Sequence, residues 1–149
     1  MKPVILIPSR MASTRLPNKP LKDIAGKPMI VQVYERAVEA DIADVVVAAD
    51  DERIADAVRA AGGKVVLTDP SHPSGSDRIF EALNQIDTDG LYDVVINVQG
   101  DLPTIDPMLI RESLAPLKNA DVDIATLACA IDNDGDMSNP SVVKPVVAW

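Results

Sequence analysis

The sequence predicts an α/β fold, an open and mostly parallel sheet with helices on both faces. Three observations carry that prediction. Apolar runs of strand length alternate with stretches of helical periodicity, the pattern of βαβ units feeding a parallel sheet. The strand-like runs are rich in Val and Ile at nearly every position rather than every second one, as burial on both faces requires. The chain has 149 residues, 47% of them hydrophobic, which is the size of one domain and enough to build one core.

Each element follows in order. The first strand is expected at residues 4–8. After an intervening loop, Ile30, Val33, Tyr34, Ala37 and Val38 have the i, i+3, i+4, i+7, i+8 spacing that lays one apolar stripe on a sheet. A second strand is expected at 44–49, and Ile54, Ala57, Val58 and Ala61 repeat the stripe before Gly62 and Gly63 stop that helix. A third strand, 64–68, leads to a helix carrying Ile79, Ala82, Leu83 and Ile86. A fourth, 93–99, precedes a helix with Ile110, Leu114 and Leu117, which opens on Asp106 as N-cap and Pro107 in the first turn. Apolar character over 123–131 predicts a fifth strand. A sixth, 142–149, belongs on an edge or at a bulge because Pro145 interrupts it. With no internal repeat, low-complexity tract or linker, the expected organisation is one domain over 1–149. Trp149 closes the sequence inside an apolar strand, so that domain is expected to be incomplete at this end.

A formal charge of -9 argues against a chain that coats nucleic acid or docks on anionic membrane, since both need a basic face. An anionic ligand must therefore be held by a local cluster of cations. The single Cys129 cannot form an internal disulfide, and the start of the chain lacks a secretory signal pattern, so a cytoplasmic location is expected. Cys129 lies in an apolar run without a histidine nearby, which predicts a buried structural thiol. No apolar run approaches the roughly 18 residues that would span a bilayer.

In open α/β sheets ligands bind beyond the carboxyl ends of the strands, and three of the loops there are unusual. The first, SRMASTRLPNKPL, gathers Arg10, Arg15 and Lys19 with Ser9, Ser13 and Thr14 in an otherwise acidic chain. Cations, hydroxyls and free backbone N–H groups together suit phosphate oxygens. It is not a Walker A loop, which needs GxxxxGK[ST]. The plainer reading, a solvated surface loop, does not account for its place directly after the first buried strand.

The second loop carries His72, Ser74, Gly75, Ser76, Asp77 and Arg78 at the start of a helix. Small and hydroxyl residues there let a ligand approach the backbone at a helix N-terminus, and simple N-capping by Ser74 or Ser76 is the competing reading. His72, the one histidine, reads as a loop contact. The third loop is Asn97, Val98, Gln99, Gly100, Asp101. A carboxylate at a strand end after a glycine can hold a hard cation that bridges phosphate oxygens, or can cap the next turn. Asp132, Asp134 and Asp136 imitate a calcium loop, but Gly135 is misplaced and Val143 stands where the closing Glu should be, so a solvated turn is expected.

Taken together, residues 8–21, DIAGKPMI at 23–30, SGSDR at 74–78 and NVQGD at 97–101 resemble the cytidylyltransferase family that activates the eight-carbon acid sugar Kdo, the CMP-Kdo synthetases. Asn139, Pro140, Val143 and Lys144 add to the likeness, which runs along essentially the whole chain in order. The first loop alone would be shared with other nucleotidyltransferases; NVQGD with SGSDR narrows the choice.

The resemblance implies a Rossmann-like sheet of the nucleotide-diphospho-sugar transferase type, and transfer of CMP from CTP to the anomeric hydroxyl of Kdo with release of pyrophosphate. It implies that Arg10, Ser13, Arg15 and Lys19 hold the triphosphate, with Arg10, Arg15 and Lys19 as the catalytic cations. Pro8, Ser9, Ser74, Gly75, Ser76 and Arg78 would surround the cytosine and ribose, Gln99 would face the nucleotide or sugar, and Asp101 would bind Mg2+. Two departures stand out. Leu102 occupies the place of the family's usual Glu, and Ser76 and Asp77 replace the usual Thr and Glu while keeping the hydroxyl and the carboxylate. Family members continue for roughly a further hundred residues, the part expected to supply the sugar pocket, a second metal carboxylate and a homodimer interface. A cytidylyltransferase for another acid sugar, such as sialic acid, and a non-catalytic nucleotide-binding module remain open as alternatives at this point.

Overall fold

The structure, a computed structural model, describes residues 1–12 and 16–145. The chain forms two compact units, one of Met1–Glu112 and a second that begins at Ser113.

The first unit is built on a parallel sheet. Among the described residues it has four strands, β1 (Pro3–Ser9), β4 (Asp44–Ala49), β5 (Lys64–Leu67) and β6 (Val94–Asn97), in the order β5-β4-β1-β6. All three pairings are parallel, with Leu6 opposite Val46 on one side and Asn97 on the other. A small antiparallel pair, β2 (Asp23–Ile24) and β3 (Lys27–Pro28), lies in the connection after β1. Its two-residue turn, Ala25 and Gly26, has φ of 52° and 86°, the doubly left-handed geometry that matches hairpin twist.

The helices α1 (Met29–Glu39), α2 (Glu52–Ala60) and α3 (Gly75–Ile86) clothe the sheet. Because side chains alternate along a strand, Val4, Leu6 and Val46 share one face, where they pack with Ile79 and the half-buried Val66, Leu83 and Ile86. The opposite face presents Ile5, Ile7 and Val47, all fully buried, and α1 and α2 pack together beside it. Strand β1, in the middle, is buried throughout from Val4 to Ile7, as its unbroken apolar run requires. The edge strands are less covered: Leu67 and Val95 are exposed.

The helical stripes hold with two corrections. In α1 Ile30, Val33 and Ala37 are buried, but Val38 is exposed and Met29 and Val31 take its share of the core. In α2 Ile54 and Val58 are buried, whereas Ala61 is the exposed C-cap, and Ala55 packs inward instead. Gly62 ends α2 at φ 77°, and the Gly63 N–H donates to Val58 O at 2.9 Å, the paired bonds of a glycine-stopped helix. Helix α4 (Pro107–Glu112) starts on Asp106, whose carboxylate accepts the Met108 N–H at 2.9 Å. It is shorter than the apolar spacing predicts. Pro116 removes an N–H and opens a separate 3-10 turn, Pro116–Lys118, so Leu117 does not extend α4.

In the second unit the expected strand at 123–131 is absent among the described residues. A strand needs a neighbour to take its backbone bonds, and none pairs with this segment; Ile124 and Leu127 are exposed. Cys129 is likewise exposed, a correction to the buried thiol expected from its apolar neighbours. Residues 142–145 form no strand, and the rest of the sixth predicted strand, 146–149, lies outside the described residues. Helix α5 (Asp134–Ser138) is capped by the Asn133 side chain; Asp132 and Asp134 are exposed and Asp136 is half-buried, an arrangement that suits a solvated turn. Among the described residues no helix is long and apolar enough to cross a membrane.

Candidate functional site

The strand order places the site. From β1 the chain steps to β4 and on to β5, whereas β6 returns to the other side of β1, so the winding reverses between β1 and β6. Such a switch point opens a crevice outside the carboxyl ends of the strands, the usual ligand position in open α/β sheets. A cavity of about 930 Å³ lies there, lined by Pro8, Ser9 and Arg10 after β1, by Ser74, Gly75 and Arg78 at α3, and by Gln99, Gly100 and Asp101 after β6. Lys19, on the 3-10 turn Lys19–Leu21, also lines it, as do His72 and Met29.

The three sequence-predicted loops therefore meet at one cavity. Of the predicted residues, Pro8, Ser9, Arg10, Lys19, Ser74, Gly75, Arg78, Gln99 and Asp101 line it; Ser76 does not, and Ser13 and Arg15 lie outside the described residues. Glycines allow the close approach. A Cβ on Gly100 would stand 2.5 Å from the carbonyl oxygen of Pro8, and one on Gly75 would touch the Pro8 ring at 3.4 Å. Only a bare backbone fits at position 100 without moving Pro8.

Charge is arranged locally. Lys19 Nζ donates to Asp101 Oδ2 at 2.7 Å, with both side chains partly in solvent. Arg10 is exposed and makes no ion pair among the described residues. The Ser9 hydroxyl is buried and has no hydrogen-bond partner among the described residues, an arrangement that costs about 1–3 kcal/mol if nothing satisfies it. Its residue lines the cavity.

Two predicted contacts have structural duties. Ser74 is the N-cap of α3: its Oγ accepts the Asp77 N–H at 3.2 Å and donates back to the Asp77 carboxylate, a reciprocal cap. Arg78 is almost wholly buried, and its Nη1 donates to Thr68 Oγ1 and to Asp69 O. Its other arm, Nη2, lies 3.8 Å from Asp50 Oδ2. Sequence reasoning passed over Asp50; the available signal was a carboxylate directly after an apolar strand, beside an Asp51 already suited to cap α2.

His72 sits at the cavity rim, its Nε2 bonded to Glu81 Oε2. The Glu81 carboxyl is held below the usual carboxylate range, first by the Asp69 backbone N–H and then by His72. Asp69 is held low in turn, chiefly by hydrogen bonds from Ser71. These bonds brace the 69–74 loop. Among the described residues no three His, Cys, Asp or Glu side chains are grouped so as to hold a metal ion.

The sequence profile described as cytidylyltransferase matches residues 4–148. A 3-deoxy-manno-octulosonate cytidylyltransferase from Methylorubrum populi is 61% identical over 95% of this chain and 58% of its own length. One from Rhodospirillum centenum is 59% identical over 97% of this chain and 56% of its own. Among solved structures, CMP:2-keto-3-deoxy-manno-octonic acid synthetase complexed with CTP superposes with a TM-score of 0.73 at 47% identity, covering 79% of this chain and 48% of that one. The chain thus spans somewhat more than half the length of the curated relatives it matches. With the profile matched over residues 4–148 and a parallel α/β fold shared with the solved synthetase, the chain belongs to the cytidylyltransferase family.

Proposed function

We propose that residues 1–149 are the nucleotide-binding part of an enzyme that transfers CMP from CTP to the anomeric hydroxyl of Kdo and releases pyrophosphate. The observation that carries the reading is the single cavity in which Arg10, Lys19 and Asp101 converge at the switch point. Support for the substrates comes from the names of the relatives and from the CTP complex of the solved neighbour. The reading includes a cytoplasmic setting and, for the whole protein, a homodimer.

In this reaction the sugar hydroxyl oxygen attacks the α-phosphorus, its proton leaves, and the bond to the β,γ-pyrophosphate breaks. Negative charge grows on the α-phosphoryl and leaving oxygens, so positioned cations carry the catalysis and no protein nucleophile is needed. Arg10 and Lys19, with Ser13 and Arg15, hold the triphosphate in that geometry. The orphaned Ser9 hydroxyl and the backbone around Pro8, Ser74, Gly75 and Ser76 take the nucleoside, with Arg78 beneath them and Gln99 facing nucleotide or sugar.

Asp101 fits a magnesium ion that arrives with the nucleotide. Its carboxylate is half exposed at a strand end, and magnesium is commonly held by one or two carboxylates together with substrate phosphates and water. Such an ion on Asp101 would neutralise phosphate charge. The Lys19 ammonium, now on Asp101, would turn to the phosphates.

Calorimetry with CTP, with and without magnesium, and pyrophosphate release by the whole enzyme with Kdo or with sialic acid test the reading. Binding with release on Kdo supports it, and release on sialic acid alone moves the acceptor. Binding without release reduces the protein to a nucleotide-binding module, and no binding refutes the nucleotide site.

A further inference from the structure

We propose that Asp50 is a positioning residue of the nucleotide site: with Arg78 it forms a buried strut that fixes the backbone at Met11, and with it Arg10, against the 68–78 segment. The inference rests on the nucleotide reading above. Asp50 does not line the cavity, so it acts through others.

The bonds run as follows across the strand ends. The Asp50 N–H donates to the Ser9 carbonyl at 3.2 Å, and Asp50 Oδ1 accepts the Met11 N–H at 2.9 Å. Asp50 Oδ2 faces Arg78 Nη2, with the two side chains 6% and 3% exposed. The same guanidinium binds Thr68 Oγ1 and Asp69 O, and Thr68 Oγ1 donates to Ala49 O at 3.0 Å. One carboxylate and one guanidinium thus join the ends of β1, β4 and β5 beneath the cavity.

Two plainer roles do not account for the arrangement. Asp50 does not cap α2, because Asp51 does so, accepting the Arg53 N–H at 2.9 Å. Nor is stability alone a sufficient reason, since the desolvation of two buried charges offsets most of their attraction. What the pair does supply is geometry. Among the described residues between Arg10 and Asn18 the loop after β1 has no strand or helix of its own, and the Met11 bond is a side-chain anchor that seats its first residues.

Asp50→Asn keeps an acceptor for Met11 and removes the charge facing Arg78; Asp50→Ala removes both. In Asp50→Ala, CTP affinity by calorimetry is expected to fall about tenfold or more, as for a lost hydrogen bond to a charged group. Asp50→Asn is expected to recover part of that loss. Amide exchange at Met11 should rise selectively, while Ile5, Leu6 and Ile7 keep their protection.

An alanine variant that binds CTP within about twofold of the parent, the scatter of uncoupled sites, overturns the proposal. So does exchange that rises equally along β1, which is general destabilisation. If Asp50→Ala does not fold, Asp50→Asn decides: several-fold weaker CTP binding supports the strut, and parental affinity overturns it. If the parent itself binds no CTP, the nucleotide reading falls separately. The exchange experiment then stands alone, with selective opening at Met11 supporting the strut and its absence overturning it.

Discussion

Lys19 and Asp101 are 82 positions apart in sequence yet bonded at 2.7 Å, and their meeting defines the site at the residue scale. Each was legible by chemistry: a cation in a hydroxyl-rich loop, a carboxylate after a strand-end glycine. That they pair with each other was not, because pairing across loops depends on strand order. Being exposed, the pair contributes at most about 1 kcal/mol to the fold. Lys19→Ala is therefore expected to leave the thermal midpoint nearly unchanged. It should slow pyrophosphate release by the whole enzyme roughly a hundredfold, the effect of losing one preorganised charge contact of about 3 kcal/mol. Steady-state rates beside a melting curve check it, and an unaltered rate refutes the phosphate role. Asp50 escaped sequence reading for the opposite reason. Its pattern, Asp50-Asp51 before a helix, offers one cap and gives no sign of which carboxylate turns inward.

Elements are where local rules worked best and where they met their limit. Capping by Asp106 and the glycine stop at Gly62 follow from backbone chemistry within a few residues, and both are present. The strand expected at 123–131 depends instead on a neighbour, which no local pattern supplies, and the segment is irregular. Helix α2 shows how a cap becomes a pH-dependent element. The Asp51 carboxyl is lowered to about 2, first by its side-chain bond with Arg53 and then by the Arg53 backbone N–H. A carboxyl held lower in the folded than in the unfolded chain stabilises the fold above its ordinary value near 3.8, and that contribution is lost as pH falls toward about 2. Asp51→Asn keeps a capping oxygen without the titration. The parent should therefore exceed this variant in thermal midpoint at neutral pH, and the gap should close as the pH is lowered from about 4 to about 2. A gap that is constant over that range would sink the assignment.

For the whole molecule the governing fact is the charge of -9 set against a site proposed to hold a polyanion. Long-range attraction cannot bring a triphosphate to such a protein; local contacts must hold it against the net field. Arg10 and Lys19 line the cavity, and among its described lining residues Asp101 is the one carboxylate. CTP with magnesium should accordingly bind more tightly than CTP alone, because the ion converts Asp101 from a repelling group into a contact and frees Lys19 for phosphate. Binding to the folded state alone raises stability by about 2.7 kcal/mol when ligand is at a hundred times its dissociation constant. For a chain of this size that is a rise in melting temperature of roughly 5 to 10 °C. Scanning calorimetry with CTP and magnesium, CTP alone, and ATP with magnesium is expected to rank the shifts in that order from largest to smallest. An equal shift with ATP would mean that the cavity grips triphosphate without reading the base, and no shift with CTP and magnesium would mean that the acidic surface prevails over the local cations.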